Sequence, residues 1–195
     1  MNGFLESQYE GKEYKGINFT GIELAHKEFT ECQFIDCNFT ETILIGSQFE
    51  NCVFDTCNIS NSKINKARFI GVRFVKSKVL GINYYNCDQT TFDLDFDECR
   101  IVACNFTDVS MKKSKFVHCE LVDCAFQNTY LVESDFTGSF FRTTLFHNAD
   151  LRKATFYKAQ GYEIDPRNNR IEKAIFSVPD VLSLIEYFKI VIKEN

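Results

Sequence analysis

Large apolar residues recur along this chain with a period of five. Every fifth residue from Phe19 to Tyr84 is apolar, and after one interruption the same rule holds from Phe96 to Phe156. Neither the 3.6-residue period of an amphipathic helix nor the two-residue alternation of a half-buried strand produces this pattern. It indicates a repeat in which one large side chain in every five points into a shared interior.

A second inward position lies two residues before each large one and holds mainly small residues, such as Ser47 and Ala67. Two side chains the size of Phe do not both fit inward from one short segment, so the companion must be small. The other three positions of each repeat are largely polar. The register predicts a core that includes Phe34, Phe54, Phe74, Phe106, Phe126 and Phe146, with Cys32, Cys52, Cys104 and Cys124 at the small position.

This pattern resembles the pentapeptide-repeat family, whose motif has Leu or Phe at its centre and a small residue two places earlier. The match covers about residues 17–159. The resemblance implies an all-β solenoid, a right-handed quadrilateral β-helix in which residues twenty apart lie above one another. Neighbouring coils would then lie about 4.8 Å apart, the usual spacing of strands, and would be joined by backbone hydrogen bonds. Because Lys12 and Lys27 break the small-residue rule, we expect residues 1–16 to form an N-terminal cap.

The register slips between Tyr84 and Phe96, which are twelve residues apart where ten would keep the period. Gln89 stands where a core residue is due, so the slip at 85–95 predicts a bulge or a short loop. Loops that interrupt a solenoid often carry recognition, and the alternative is a neutral insertion absorbed at a corner. The candidate partner-binding residues are the acids in and after this segment: Asp88, Asp93, Asp95, Asp97 and Glu98.

The period changes again after Ala159. Ser177 and Asp180 have the spacing of a capping box, which predicts a short C-terminal α-helix followed by a strand over 190–192. A cap at the free end of a solenoid needs a polar outer face, whereas this segment is apolar. Residues 160–195 are therefore predicted to form a turn, helix and strand that act as a dimerisation module. The predicted interface residues are Val181, Leu182, Ile185, Phe188 and Ile190.

Charge is distributed in blocks along the 195 residues. The net charge of −5 has the wrong sign for direct nucleic-acid binding. Residues 61–86 carry six bases and no acid, whereas residues 87–110 carry six acids and one base. The blocks predict zones of opposite potential along a rod, with chance clustering on a solvated surface as the alternative. No apolar run approaches the ~18 residues that span a bilayer, so we expect a cytoplasmic protein without a membrane partner.

The nine cysteines all fall at the small inward position if the first register is extended to Cys87. Zinc needs four converging ligands, whereas these thiols would form columns, so we expect them to be structural. The chain has no nucleotide-binding, metalloprotease or hydrolase motif, and its three histidines do not cluster in the sequence. We expect a surface without clefts, and therefore no enzyme, catalytic residue, metal, cofactor or small-molecule substrate.

The tail resembles the C-terminal module of the Qnr and MfpA group of fluoroquinolone-resistance proteins. Tyr162, residues 164–166, Asn169, Ala174, residues 176–177 and Pro179 carry this resemblance. It implies an end-to-end homodimer that imitates duplex DNA, binds DNA gyrase and topoisomerase IV, and protects them from quinolones. Two other functions are consistent with the residues: a generic cytosolic scaffold or regulatory adaptor, and an immunity protein against a gyrase poison.

Overall fold

The computed structural model describes residues 4–191 and residue 193. Short strands follow one another around a four-sided coil of about eight turns, and each strand pairs in parallel with the strand one turn further along the chain. Tyr9 pairs with Phe29, Phe29 with Phe49, and Phe49 with Phe69. The all-β quadrilateral β-helix expected from the five-residue register is confirmed.

We call the four sides of the coil A, B, C and D in chain order. The strands of side A are Gln8–Glu10, Glu28–Thr30, Gln48–Glu50 and Arg68–Ile70. Those of side B are Glu13–Lys15, Gln33–Ile35, Val53–Asp55, Val72–Val75, Leu94–Asp97, Phe116–Val117, Thr155–Phe156 and Ile175–Phe176. Side C contains Asn58–Ser60, Lys78–Leu80, Arg100–Val102, Glu120–Val122 and Phe140–Arg142, and side D contains Ala125–Gln127, Leu145–His147 and Glu163–Ile164.

Aromatic rings fill the axis of the coil behind side B. Neighbouring rings of this column are stacked with centroids 4.8–5.2 Å apart, close to the spacing between coils. Each well-buried ring contributes about 1.5–3 kcal/mol of transfer free energy. The column consists of Tyr14, Phe34, Phe54, Phe74, Phe96, Phe116, Phe136, Phe156 and Phe176.

The corners of the coil use left-handed backbone. The residue two places after a core position has a positive φ in repeat after repeat, for example 53° at Glu31 and 52° at Asn51. This conformation costs roughly 1–2 kcal/mol per non-glycine residue. The coil offsets the cost with a hydrogen bond to the next turn: the Glu31 backbone N–H donates to the Glu50 carbonyl at 2.8 Å.

The regular coil begins earlier than residue 17. Gln8 already pairs with Glu28, and Glu13 pairs with Gln33. The expected boundary of the cap at residue 16 is therefore wrong, because tyrosines at positions 9 and 14 continue the aromatic columns. Lys27 is tolerated at a small position because this coil lies near the open end, where the lysine Nζ donates to the Glu6 carbonyl at 2.6 Å.

The coil also extends past residue 159. Phe146 pairs with Ile164, and Phe156 pairs with Phe176, so the last turn runs to residue 176. The expected start of a separate module at residue 160 is therefore wrong. This last turn has an altered shape, because the Phe146 pairing spans eighteen residues rather than twenty and the corner at 165–168 is lengthened.

The C-terminal tail is shorter in helix than expected. A 3₁₀ turn, Asp180–Leu182, leads into a single α-helical turn, Ser183–Glu186. Ser177 is not its cap; the serine Oγ accepts the Lys158 backbone N–H at 2.8 Å. Ile190 and Val191 are not in a strand, because no turn of coil in the described part of the chain pairs with them, and Ile192 lies outside the described residues.

The slip is absorbed in a compact segment that opens with a 3₁₀ turn, Tyr84–Asn86. Leu94 pairs with Val72, twenty-two residues earlier, so two residues are inserted. Gln89 is exposed, and its Nε2 donates to the Tyr84 carbonyl at 3.0 Å. Phe92, which the five-residue rule does not select, packs against the core instead, with its ring centroid 5.9 Å from that of Tyr84.

Candidate protein-binding surfaces

The five candidate acids lie on two different sides of the coil. Asp88 and Asp93 lie at the two ends of the inserted segment on side A, where their backbone N–H groups donate to the Ala67 and Phe69 carbonyls. Asp95 and Asp97 lie on side B on either side of buried Phe96. Glu98 follows in the corner with a φ of 52°. They therefore do not form one cluster around a projecting loop.

Asp88 holds the inserted segment in place. Its carboxylate accepts the Thr90 backbone N–H at 2.9 Å and lies 2.9 Å from the Arg68 guanidinium. The hydrogen bonds from Thr90, and after them the one from Arg68, hold the pKa of Asp88 well below its usual range. The charge is therefore engaged within the chain, and Asp88 has a structural role in the slip.

From Arg73 to Asp135, side B alternates bases and acids from coil to coil. The Asp95 carboxylate accepts the Lys115 backbone N–H at 2.8 Å, and Arg73 is the backbone partner of Asp95 on the preceding coil. Partial burial raises the pKa of Asp95, and the hydrogen bond and charge of Lys115 oppose this shift. The acidic row formed by Asp95, Asp97 and Glu98 is thus one coil deep and does not continue as an acidic strip along the rod.

The basic block at 61–86 becomes a ring in the structure. Its six cations occupy all four sides of one coil: Lys63, Lys66, Arg68, Arg73, Lys76 and Lys78. The block of acids from residue 88 to residue 98 lies on the next coil. Charge that is local in sequence is therefore spread around the rod.

All nine thiols are buried and reduced. The Cys52 Sγ donates to the Phe29 carbonyl at 3.3 Å, and Cys104 makes the equivalent contact with Val79 at 3.6 Å. Burial raises the pKa of both thiols to about 12. Among the described residues, no three His, Cys, Asp or Glu side chains converge in a way that would hold a metal ion.

We predict that the cysteines react with a thiol reagent only after unfolding. A thiol must deprotonate to react, and burial opposes both deprotonation and access. Fewer than two equivalents of reagent should be consumed by the native protein and nine after denaturation, measured by absorbance. Stoichiometric zinc in tag-free protein, detected by elemental analysis, would contradict the structural role.

The residues of the predicted dimer interface differ in exposure. Leu182, Phe188 and Ile190 are 44%, 52% and 57% exposed. Val181 and Ile185 are half-buried, and Val181 packs against the core. The residue that closes the end of the core is Leu184, which is 7% exposed and was not among the predicted interface residues. Its spacing of three from Val181 and four from Phe188 is the signal that could have identified it.

Open grooves lie at this end in the described part of the chain, contrary to the expectation of a surface without clefts, and two of them differ in chemistry. One, of about 390 Å³, is polar and includes Asn128, His147, Arg167 and Arg170 in its lining. The other, of about 620 Å³, is lined in part by Tyr157, Phe176, Val178 and Pro179. Both arise because the lengthened corner and the tail stand away from the regular coil.

None of the helices in the described part is long and apolar enough to cross a membrane.

A rod of stacked four-sided coils, with an aromatic axis and charged outer sides, defines the class of β-helical repeat proteins. The family model for pentapeptide repeats matches residues 104–142 and 129–160, and the coil geometry continues on both sides of this match. The chain is a pentapeptide-repeat protein. The family model of the SV2A/B/C luminal domain matches residues 1–79, and no curated protein matches the chain.

Several solved structures are similar to this chain at low identity. A trypsin-treated form of QnrB1, described as a plasmid-mediated fluoroquinolone resistance protein, is 18% identical with a TM-score of 0.46, covering 95% of this chain and 90% of its own. HetL from Nostoc sp. strain PCC 7120, described as involved in heterocyst differentiation regulation, is 13% identical with a TM-score of 0.40, covering 89% and 87%. Rfr23 from Cyanothece 51142 is 11% identical with a TM-score of 0.40, covering 73% and 92%.

Proposed function

We propose that this chain is a non-enzymatic binding protein whose outer sides contact another protein, and that a type II DNA topoisomerase, gyrase or topoisomerase IV, is that partner. The observation that carries the proposal is the acidic row of Asp95, Asp97 and Glu98 on a rigid β-helix. A surface that binds DNA is basic, and a fixed row of carboxylates is complementary to it. The resemblance of the tail to the Qnr and MfpA group supports this choice of partner. We also propose that the protein acts in the cytoplasm.

Rigidity favours binding by the outer sides. The strands are fixed on both edges by neighbouring coils, and the aromatic column behind side B runs the length of the rod. Eight coils at about 4.8 Å give a rod roughly 38 Å long. A partner that docks on such a surface loses little conformational entropy in the β-helix itself.

Arg73 and Lys115 lie next to Asp95 on the two neighbouring coils. The negative charge that would complement a basic partner is therefore confined to one coil. We therefore propose that binding depends on this row rather than on a general negative potential of the rod. The same local charge argues for a protein partner and against direct contact with DNA.

We also propose that two chains join end to end through the C-terminal tail. Three exposed apolar side chains, Leu182, Phe188 and Ile190, belong to the C-terminal segment that follows the last turn of the coil. Apolar ends that meet about a two-fold axis would be covered on both chains. A dimer would roughly double the length of rod available to the partner.

The test is a gyrase supercoiling assay with and without ciprofloxacin. We expect the wild-type protein to restore supercoiling in the presence of the drug, and the variant Asp95→Asn/Asp97→Asn/Glu98→Gln to lose at least tenfold in potency. That loss equals ~1.4 kcal/mol, a magnitude expected for several interfacial charges. The matched control, Asp108→Asn/Glu120→Gln/Asp123→Asn, removes the same charge from sides C and D and should retain potency.

The outcomes separate the candidate functions. A wild-type protein that neither binds gyrase nor changes supercoiling would contradict the topoisomerase proposal and favour the adaptor. Protection from a peptide poison of gyrase without protection from ciprofloxacin would favour the immunity protein. Equal loss of potency in both triple variants would show that total charge, and not the row on side B, determines binding.

A further inference from the structure

Side A carries a pattern of charge that is complementary to itself. Each coil contributes one row of outward residues to this side. Backbone pairing stacks the rows from Gln8 to Arg68 and again from Ser110 to Arg170, with the inserted segment between the two stacks. The inserted segment supplies the middle row, with Asp88 and Asp93 at its two ends. The charged residues of the last eight rows, in chain order, are Glu28 with Glu31, Glu50, Arg68, Asp88 with Asp93, Lys112 with Lys113, Glu133, Asp150 with Arg152 and Lys153, and Arg170 with Glu172 and Lys173.

The formal charges of these outward residues, row by row, are −2, −1, +1, −2, +2, −1, +1 and +1, and Lys27 at the small position of the first row reduces the charge of that row to −1. If a second copy is turned end for end and laid against the first, the first row faces the last, the second faces the seventh, and so on. In this register every row faces a row of opposite sign. A two-fold axis then passes between the row of Asp88 and Asp93 and the row of Lys112 and Lys113.

From this pattern we infer that side A is a surface for antiparallel, side-by-side association with a second copy of this chain. The contact is isologous, since each copy presents the same acidic half to the basic half of the other. It is separate from the C-terminal end, and it does not depend on the topoisomerase proposed above.

The charges at the two ends of the pattern are available for such a contact. Glu28, Glu31 and Glu50 lie outside ion-pair distance of the cations in the described part of the chain. In the basic half, Glu133 lies between Lys113 and Lys153, at 3.8 and 3.3 Å, so this cluster retains a net positive charge. Asp150 is likewise shared between Arg152 and Arg170, at 2.7 and 3.3 Å.

The middle of the surface adds apolar contact. In the same register the row of Arg68 and Ile70 faces the row of Tyr130, Val132 and Glu133. Ile70 is half-buried and Tyr130 is 37% exposed, so both have surface left to cover. Arg68 is paired with Asp88 of its own chain at 2.9 Å, and its guanidinium would in addition approach the Tyr130 ring of the second copy.

The expected association is weak and depends on salt. Eight rows at about 4.8 Å, each with about 10 Å of extended chain, give an overlap of roughly 400 Å² per copy, which is below the area of stable specific interfaces. Exposed ion pairs are screened within roughly 10 Å at 0.1 M salt and roughly 30 Å at 0.01 M. We therefore expect self-association of the full chain at ~0.01 M salt that falls at least tenfold at ~0.5 M.

Charge exchange tests the register. One variant, Glu28→Lys/Glu31→Lys, reverses the first of the eight rows, and the other, Arg170→Gln/Lys173→Glu, reverses the last. The glutamine at position 170 keeps a donor for Asp150. Each variant alone places like charges opposite one another and should associate about tenfold more weakly than the wild type in sedimentation equilibrium. An equimolar mixture restores opposite charges at both contacts and should regain wild-type association.

Recovery on mixing is not expected from a contact through the C-terminal tail or from misfolding. Association that is insensitive to salt, that persists in both variants, or that in the mixture equals the mean of the two variants would overturn the inference. Thermal melts of both variants are expected to lie within a few degrees of the wild type, because the exchanged residues lie on the surface.

Discussion

Phe106→Asp is expected to abolish cooperative folding of this β-helix. The Phe106 side chain is fully buried, and its ring is stacked at 4.8 Å on Tyr84 and at 4.8 Å on Phe126. Removing a buried Phe costs about 3–5 kcal/mol, and an unpaired carboxylate in its place adds several more. The total stability of a folded domain is only about 5–15 kcal/mol.

Circular dichroism during thermal denaturation measures this effect. If the variant folds, we expect its melting temperature to fall by more than ~10 °C, since 1 kcal/mol corresponds to about 2–4 °C in a chain of this size. Phe140→Asp is the matched control, because Phe140 has the same side chain but is 46% exposed on side C. It should change the melting temperature by no more than ~3 °C. A Phe106→Asp protein as stable as the wild type would contradict the inward register.

Phe188→Glu and Leu182→Glu are expected to convert the proposed end-to-end dimer to a monomer without unfolding the coil. Both side chains are about half exposed in the single chain, so a charge there remains solvated in the monomer. In the dimer the same charge would be buried against apolar side chains, which costs several kcal/mol. If protection of gyrase needs the full rod, the same variants should also lose activity.

Light scattering at micromolar concentration measures whether the protein is a monomer or a dimer. A salt concentration of ~0.3 M screens the weaker electrostatic contact of side A during this measurement. The wild type should have twice the mass of the chain, and the variants the mass of one. Leu184→Glu is the matched control. Because Leu184 is only 7% exposed, its substitution should lower the melting temperature instead. A monomeric wild-type protein would refute the end-to-end dimer.

The stability and the function of this protein depend on different sets of residues. The inward positions hold rings and thiols that contact one another across coils, and substitutions there act on folding. Apart from Asp88, which holds the inserted segment, the outward charges on sides A and B are expected to leave the core intact when they are removed. Variants that change binding without changing the melting temperature should therefore come from the outward positions alone.

The five-residue period by itself determined the direction of almost every side chain. Because each repeat is a short extended segment that ends in a corner, one large and one small residue must point inward, whatever lies above or below. The burial of all nine thiols follows from that local rule. So does the stacking of rings such as Phe34, Phe54 and Phe74, which come twenty residues apart.

Only the tertiary structure decided where the coil begins and ends. Whether a segment becomes a further turn depends on a neighbouring turn that accepts its backbone hydrogen bonds. Gln8–Glu10 and Ile175–Phe176 have such neighbours, and Val191 does not. The choice of Phe92 over Gln89 for the core at the slip is likewise made by packing against Tyr84 and Phe69.

The grouping of charge was also decided by the tertiary structure. Asp93 and Asp95 are two residues apart in the sequence but lie on different sides, whereas Glu31 and Arg170 share one side of the rod. Stacking at intervals of twenty residues, changed to twenty-two at the slip, determines which charges become neighbours. A period of five fixes which residues face out, and the number of residues in each turn fixes which of them meet.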